Sequence, residues 1–225
     1  MFKRNETVSI EGLIGCGKST LLDSVENYID DFNYLFVHEP VEDFKRCKLL
    51  NHEYNPLKEF YNDQNGNAVA FLSWVNKCYQ NQLENLSSIS EEHHKILMER
   101  CSYSSIIFIR SLNRLKIYSD FSADLLENDV LNTIRKYYGE EKYGVDKIYF
   151  INAPIDICVE RILERNRTEE NNIEDLKRYL TVLDIEYKLF LCDFMKRRGN
   201  DKVRIFFHPD LEVVKRDYLQ FIKYN

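Results

Sequence analysis

Residues 7–20 read TVSIEGLIGCGKST, and this stretch decides the fold. The β-like run Thr7–Glu11 breaks into Gly12-Leu13-Ile14-Gly15-Cys16-Gly17-Lys18-Ser19, which satisfies the spacing GxxxxGK[ST] and runs into a helix predicted over residues 18–28. Gly12, Gly15 and Gly17 let the backbone turn sharply and aim N–H groups, Cys16's among them, at phosphate oxygens. The helix N-terminus behind them, at Lys18-Ser19-Thr20, adds partial positive charge. Lys18 is placed to neutralise β/γ oxygens and Ser19 to contact Mg²⁺. A glycine-rich turn without a ligand is the competing reading, and the Lys-Ser pair between strand and helix weighs against it. The motif indicates a nucleoside triphosphate and leaves the acceptor open.

Outward from this loop, β-like runs recur at Thr7–Glu11, Tyr34–Glu39, Lys95–Glu99, Lys147–Asn152 and Lys202–His208, each followed by a stretch long enough for helix. That alternation predicts an α/β fold with a central parallel sheet of about five strands flanked by helices. Between Ala68 and Leu86 the apolar residues fall at helical 3,4 spacing, the stripe of a core or dimer-packing helix. No linker, repeat or low-complexity tract interrupts the 225 residues, so one domain over 1–225 is expected.

Composition narrows the function. With 44% hydrophobic residues and a mean hydropathy of -0.46, the chain can fill a core but offers no bilayer span. A net charge of -6 and a pI near 5.5 disfavour generic nucleic-acid binding. Six scattered cysteines without CxxC pairs and an N-terminus lacking an apolar h-region suggest a reducing, cytoplasmic setting. His93 and His94 beside Glu91 and Glu92 tempt a metal reading, but a solvated turn is favoured because no further ligands sit at metal spacing.

The acceptor chemistry is written in three clusters. His38-Glu39-Pro40-Val41 and Met98-Glu99-Arg100-Cys101 each put a carboxylate at the C-terminal edge of a parallel sheet, where open α/β folds bind ligands. An alcohol attacking a γ-phosphate needs a base and nearby positive charge, which Glu39 and Arg100 can supply. Arg161, Arg165 and Arg167 precede Glu169-Glu170, either as a solvated helix end or as a cationic lid over phosphates.

The order of these motifs resembles the deoxynucleoside kinase family, which includes deoxycytidine, deoxyguanosine and mitochondrial-type thymidine kinases and the insect multisubstrate enzyme. The resemblance spans nearly the whole chain, through IEGLIGCGKST (10–20), EPVEDF (39–44), Phe71 to Val75, MERCSYSSIIF (98–108), ERILERNRTEE (160–170) and Arg178-Tyr179-Leu180. It implies a P-loop kinase with an arginine-rich lid that phosphorylates the 5′-hydroxyl of deoxynucleosides with ATP and Mg²⁺, commonly as a homodimer. Glu39 resembles the base, Arg100 the residue that orients it, and Glu99 the Mg²⁺-side carboxylate acting with Ser19. Tyr61 and Glu170 resemble the pair that holds the sugar 3′-hydroxyl. Phe71 and Phe108 resemble the aromatics about the base, with Phe44 and Phe60 lining the same cavity. Arg161, Arg165 and Arg167 resemble the lid arginines, and the loop at His208-Pro209-Asp210 is expected near the donor adenine.

Three departures stand out. Leu72 replaces a Gln that pairs with the base edge, Phe44 replaces a common Trp, and Cys101 replaces a Ser. Ser105 and Tyr79 are the nearest polar residues left to face a base. A nucleoside monophosphate kinase, or a catalytically idle subunit of the same fold, are the alternatives to a deoxynucleoside kinase.

Overall fold

The computed structural model describes residues 6–49, 52–89, 95–139, 143–165 and 173–224. Arg167, Glu169, Glu170, His93 and His94 lie outside them. Five strands, β1 (Glu6–Gly12), β2 (Tyr34–Val37), β5 (Lys95–Glu99), β6 (Lys147–Ile151) and β7 (Val203–Phe206), form one parallel sheet in the order β2-β5-β1-β6-β7. All four pairings are parallel, with Ile10 opposite Glu99 on one side of β1 and Tyr149 on the other. β1 is the central strand, and Val8, Ser9, Ile10 and Glu11 have no exposed surface. Helices therefore cover both faces, as an all-parallel sheet requires.

The phosphate loop leads into α1 (Lys18–Glu26), whose Leu21, Leu22 and Val25 are fully buried. Four-residue α2 (Val41–Phe44) and the short antiparallel pair β3 (Cys47–Leu49) and β4 (His52–Tyr54) precede α3 (Pro56–Asn62). The helical stripe at 68–86 lies within α4 (Gln64–Ile89), which packs on α3 and on α6 (Asp120–Tyr138). Between α4 and α6 in sequence comes α5 (Ser104–Arg114), which packs on α6 and on α8 (Ile173–Arg198). α7 (Ile155–Glu164) follows β6, and α9 (Leu211–Tyr224) closes the described chain.

The predicted strands appear in place: β5 has the expected bounds, β1 gains a residue at each end, and β2, β6 and β7 are shorter than expected. β2 stops at Val37 rather than Glu39: its pairing with β5 ends at Val37 opposite Met98, and the carbonyl of His38 instead accepts from Gln82 Nε2 at 2.7 Å. The first helix ends at Glu26 rather than Tyr28. The β3–β4 pair and α2 were not anticipated from the sequence, since runs of three or four residues carry too little periodicity to read.

Candidate active site

One cavity of about 1140 Å³ opens at the C-terminal edge of the sheet. Its floor is the phosphate loop, Gly15 to Thr20, and its walls include Glu39, Glu99, Arg100, Arg161 and Arg165. Phe44, Phe60, Tyr61, Phe71, Leu72, Tyr79, Ser105 and Phe108 line it too, as do Phe207, His208 and Pro209. Gly12 does not line the cavity; it shapes the loop from behind, where a Cβ would lie 2.7 Å from Cys16 Sγ and 2.8 Å from Ile151 O.

Gly15 and Gly17 hold positive φ values of 81° and 101°, a region that only glycine enters without strain. Gly15 also fits against α7 so closely that a Cβ would meet Cys158 O at 2.5 Å. Arg161 Nη1 donates to Cys16 O at 3.1 Å, which ties α7 to the loop. This arginine therefore buttresses the loop, whereas Arg165 is exposed beside the cavity. Buried Lys18 donates from Nζ to Leu13 O at 3.0 Å, and an ammonium has further donors to direct at phosphate.

Ser19 Oγ donates to Glu99 Oε1 at 2.8 Å, joining α1 to the end of β5. Two oxygen donors meet there, and no Lys or Arg pairs with Glu99 among the described residues. A hydroxyl and a buried carboxylate beside a phosphate loop suit a hard cation such as Mg²⁺.

Glu39 follows β2 in a tight turn. His38 O accepts from Gln82 Nε2 at 2.7 Å, and Glu39's own carbonyl accepts from Val41 N at 2.8 Å, so the backbone that carries the carboxylate is anchored. Arg100 Nε lies 3.2 Å from Glu39 Oε1 and 3.3 Å from Oε2. Arg100 holds a left-handed backbone with φ of 60°, and its N–H donates to Ile10 O at 3.1 Å. For a residue other than glycine that conformation costs about 1–2 kcal/mol, a strain accepted here to aim the side chain. Its guanidinium lies 4.8 Å from the centre of the Phe108 ring. Burial alone would lower the pKa of Arg100, but Tyr187, Glu39 and Glu11 outweigh it and push it well up, so the residue stays cationic.

The aromatic end is preassembled. Phe71 stacks on Phe60 with centroids 4.7 Å apart, and Phe44 meets Phe71 edge-on at 6.5 Å. Leu72 is 4% exposed and belongs both to the core and to the cavity wall. Ser105 Oγ is buried with no hydrogen-bond partner among the described residues. Burial pushes the Tyr79 phenol well up, so it stays protonated. Glu11 and Tyr187, which sit behind Arg100, escaped the sequence reading. A carboxylate within an apolar central strand was the available signal for Glu11, whereas nothing distinguished Tyr187 among 15 tyrosines.

A fowlpox virus protein named "Probable deoxycytidine kinase" is 28% identical over 199 residues, 86% of this chain and 74% of its own. Deoxycytidine kinase 2 of Gallus gallus is 26% identical over 216 residues, 85% of this chain and 76% of its own. A solved structure of a deoxyadenosine kinase from M. mycoides, described with dCMP and a flexible dCDP bound, shares the fold. It has a TM-score of 0.68 at 18% identity, over 97% of this chain and 100% of that one. The pattern of the deoxynucleoside kinase family matches residues 8–220, and the chain belongs to that family of kinases.

Proposed function

We propose that the chain transfers the γ-phosphoryl group of ATP to the 5′-hydroxyl of deoxynucleosides, for nucleotide salvage. The observation that carries this reading is the Glu39–Arg100 pair, facing the same cavity as Lys18 and Ser19. Glu39 takes the 5′-hydroxyl proton as the oxygen forms its bond to γ-phosphorus. The bond from that phosphorus to the β,γ-bridging oxygen breaks, and ADP leaves. Arg100 orients the Glu39 carboxylate and offers positive charge to the transferring group. Loop N–H groups and Lys18 bind the donor phosphates, and Arg161 on α7 and Arg165, which caps its C-terminus, line the same cavity. Ser19 and Glu99 would hold Mg²⁺, which when bound neutralises phosphate charge. Arg167 and Glu170 belong to the same proposal by family resemblance, as lid arginine and sugar ligand, Glu170 together with Tyr61.

The base would lie against Phe71, whose other face is already stacked on Phe60. Leu72 gives that wall only apolar contact, and Ser105 and Tyr79, which line the same cavity, are the polar residues assigned to the base edge in this reading. The family resemblance adds a homodimer to the reading, and the scattered cysteines without CxxC pairs add a cytoplasmic setting. Phe121 and Leu125, exposed on α6, offer apolar surface for a second copy. No helix among the described residues is long and apolar enough to cross a membrane.

Glu39→Gln tests the assignment, because it keeps size and hydrogen bonding but removes the base. The expected kcat falls by about 10²-fold or more while nucleoside affinity by calorimetry changes little. Lost affinity with unchanged kcat would make Glu39 a binding residue.

A further inference from the structure

Behind the Glu39–Arg100 pair lies a second carboxylate that phosphoryl transfer, as derived above, does not use. Glu11 sits on the central strand with no exposed surface. An ionised carboxylate at such a position is costly unless donors surround it, and here they do. Ser9 Oγ donates at 2.6 Å, Cys101 N at 2.9 Å and Ser104 Oγ at 2.8 Å. The Tyr187 phenol donates to Glu11 Oε2 at 3.0 Å.

The Tyr187 contact sets a direction. A guanidinium has only donors, so the contact of Arg100 Nη1 with Tyr187 Oη can run only from arginine to phenol. The phenol's one proton is thereby left for Glu11. The result is an ordered chain from Arg100 through Tyr187 to Glu11, with Arg100 Nη1 itself 4.0 Å from Glu11 Oε2. Burial pushes the Tyr187 pKa well up despite the opposing pull of Arg100, which keeps that proton in place. The guanidinium is a rigid plane: with Nη1 held by the phenol and one face against Phe108, its Nε is aimed at Glu39.

We propose that Glu11, acting through Tyr187, is a positioning residue for phosphoryl transfer, holding Arg100 in register with Glu39. The proposal rests on the functional reading of Glu39 and Arg100 given above. Glu11→Gln keeps the volume but places an NH₂ or an amide oxygen where a carboxylate accepts at both oxygens, so one donor contact must break. Tyr187→Phe removes the link alone. It leaves Glu11 its three other donors and retains the ring packed at 5.4 Å from Phe150.

The test compares wild type, Glu39→Gln, Glu11→Gln, Tyr187→Phe and the Glu11→Gln/Tyr187→Phe double variant, with steady-state kinetics on the folded fraction measured by circular dichroism. Each relay variant should lose about 10-fold or more in kcat, the cost of a misplaced catalytic group, with KM for ATP and deoxynucleoside changed by less than about 3-fold. The double variant should be no worse than the weaker single within about 2-fold, because both changes cut one chain. A Tyr187→Phe kcat within about 2-fold of wild type, or multiplying losses in the double variant, would overturn the relay. If Glu11→Gln does not fold, Tyr187→Phe decides alone. Wild type active and Glu39→Gln inactive, with Tyr187→Phe unimpaired, removes only the relay. An inactive wild type, or an unimpaired Glu39→Gln, removes the functional reading and the relay with it.

Discussion

At Leu72 a single side chain decides how a base can be recognised. An amide there could donate and accept at once, while leucine offers contact without direction. Aromatic side chains line the cavity beside it, and Ser105 and Tyr79 are polar residues that line it too. The enzyme should therefore accept several bases with modest differences in kcat/KM. Leu72→Gln should raise kcat/KM for at least one deoxynucleoside by about 10-fold, since one or two hydrogen bonds are worth roughly 1–3 kcal/mol. A wild type that separates its best base from the others by more than about 10³-fold, or a folded variant that improves on none, contradicts this. At this scale the sequence was legible where a residue belonged to a spaced motif, as with Lys18, Ser19, Glu39 and Arg100. Tyr187 was not, because its role comes from a hydrogen bond across 87 residues of chain to Arg100, and no local pattern encodes that.

Among elements, the join between the phosphate loop and α7 carries most of the precision. Gly15 combines positive φ with backbone contact to Cys158 and leaves no room for a methyl group. Arg161 completes the join by donating to Cys16 O. Gly15→Ala should cost about 1–3 kcal/mol from strain and collision together, seen as a Tm lower by roughly 2–12 °C in calorimetry. ATP affinity should fall with it, because the loop N–H groups lose their aim. An unchanged Tm with unchanged ATP binding would show that the loop tolerates the methyl group. The strands and the long α4 were legible from periodicity. α2 and the β3–β4 pair were not, since tertiary contacts such as Trp74 Nε1 donating to Asp43 O at 3.0 Å fix that region.

Over the whole molecule, the two edges of the sheet do different work. The C-terminal edge gathers the cavity, and the opposite edge gathers ion pairs. Glu6 lies 3.0 Å from Lys95 Nζ and also pairs with buried Lys147, while Thr7 N donates to Asp146 Oδ2 at 2.9 Å. Burial alone would raise the Glu6 carboxyl, but the two ammonium groups outweigh it and hold its pKa below the ordinary 4.5. A carboxyl with a lowered folded-state pKa stabilises the fold above its unfolded value. That contribution is lost as pH falls through the lowered one. Wild type should therefore lose more stability than Glu6→Gln between about pH 5 and about pH 3, followed as urea midpoints. Parallel losses in the two proteins would show that Glu6 contributes nothing to acid unfolding. The edge carrying this cluster is remote from the cavity, so activity at neutral pH should change little in the folded variant.

Phosphorylation of a deoxynucleoside 5′-hydroxyl in this cleft can be read directly from its products. The most direct measurement presents the four deoxynucleosides and their 5′-monophosphates separately to the wild-type enzyme with MgATP, and identifies the products by chromatography. Deoxynucleoside 5′-monophosphate and ADP should form in equal amounts from at least one nucleoside, with no comparable turnover of any monophosphate. Diphosphate formed from a monophosphate, with the nucleosides untouched, would contradict it.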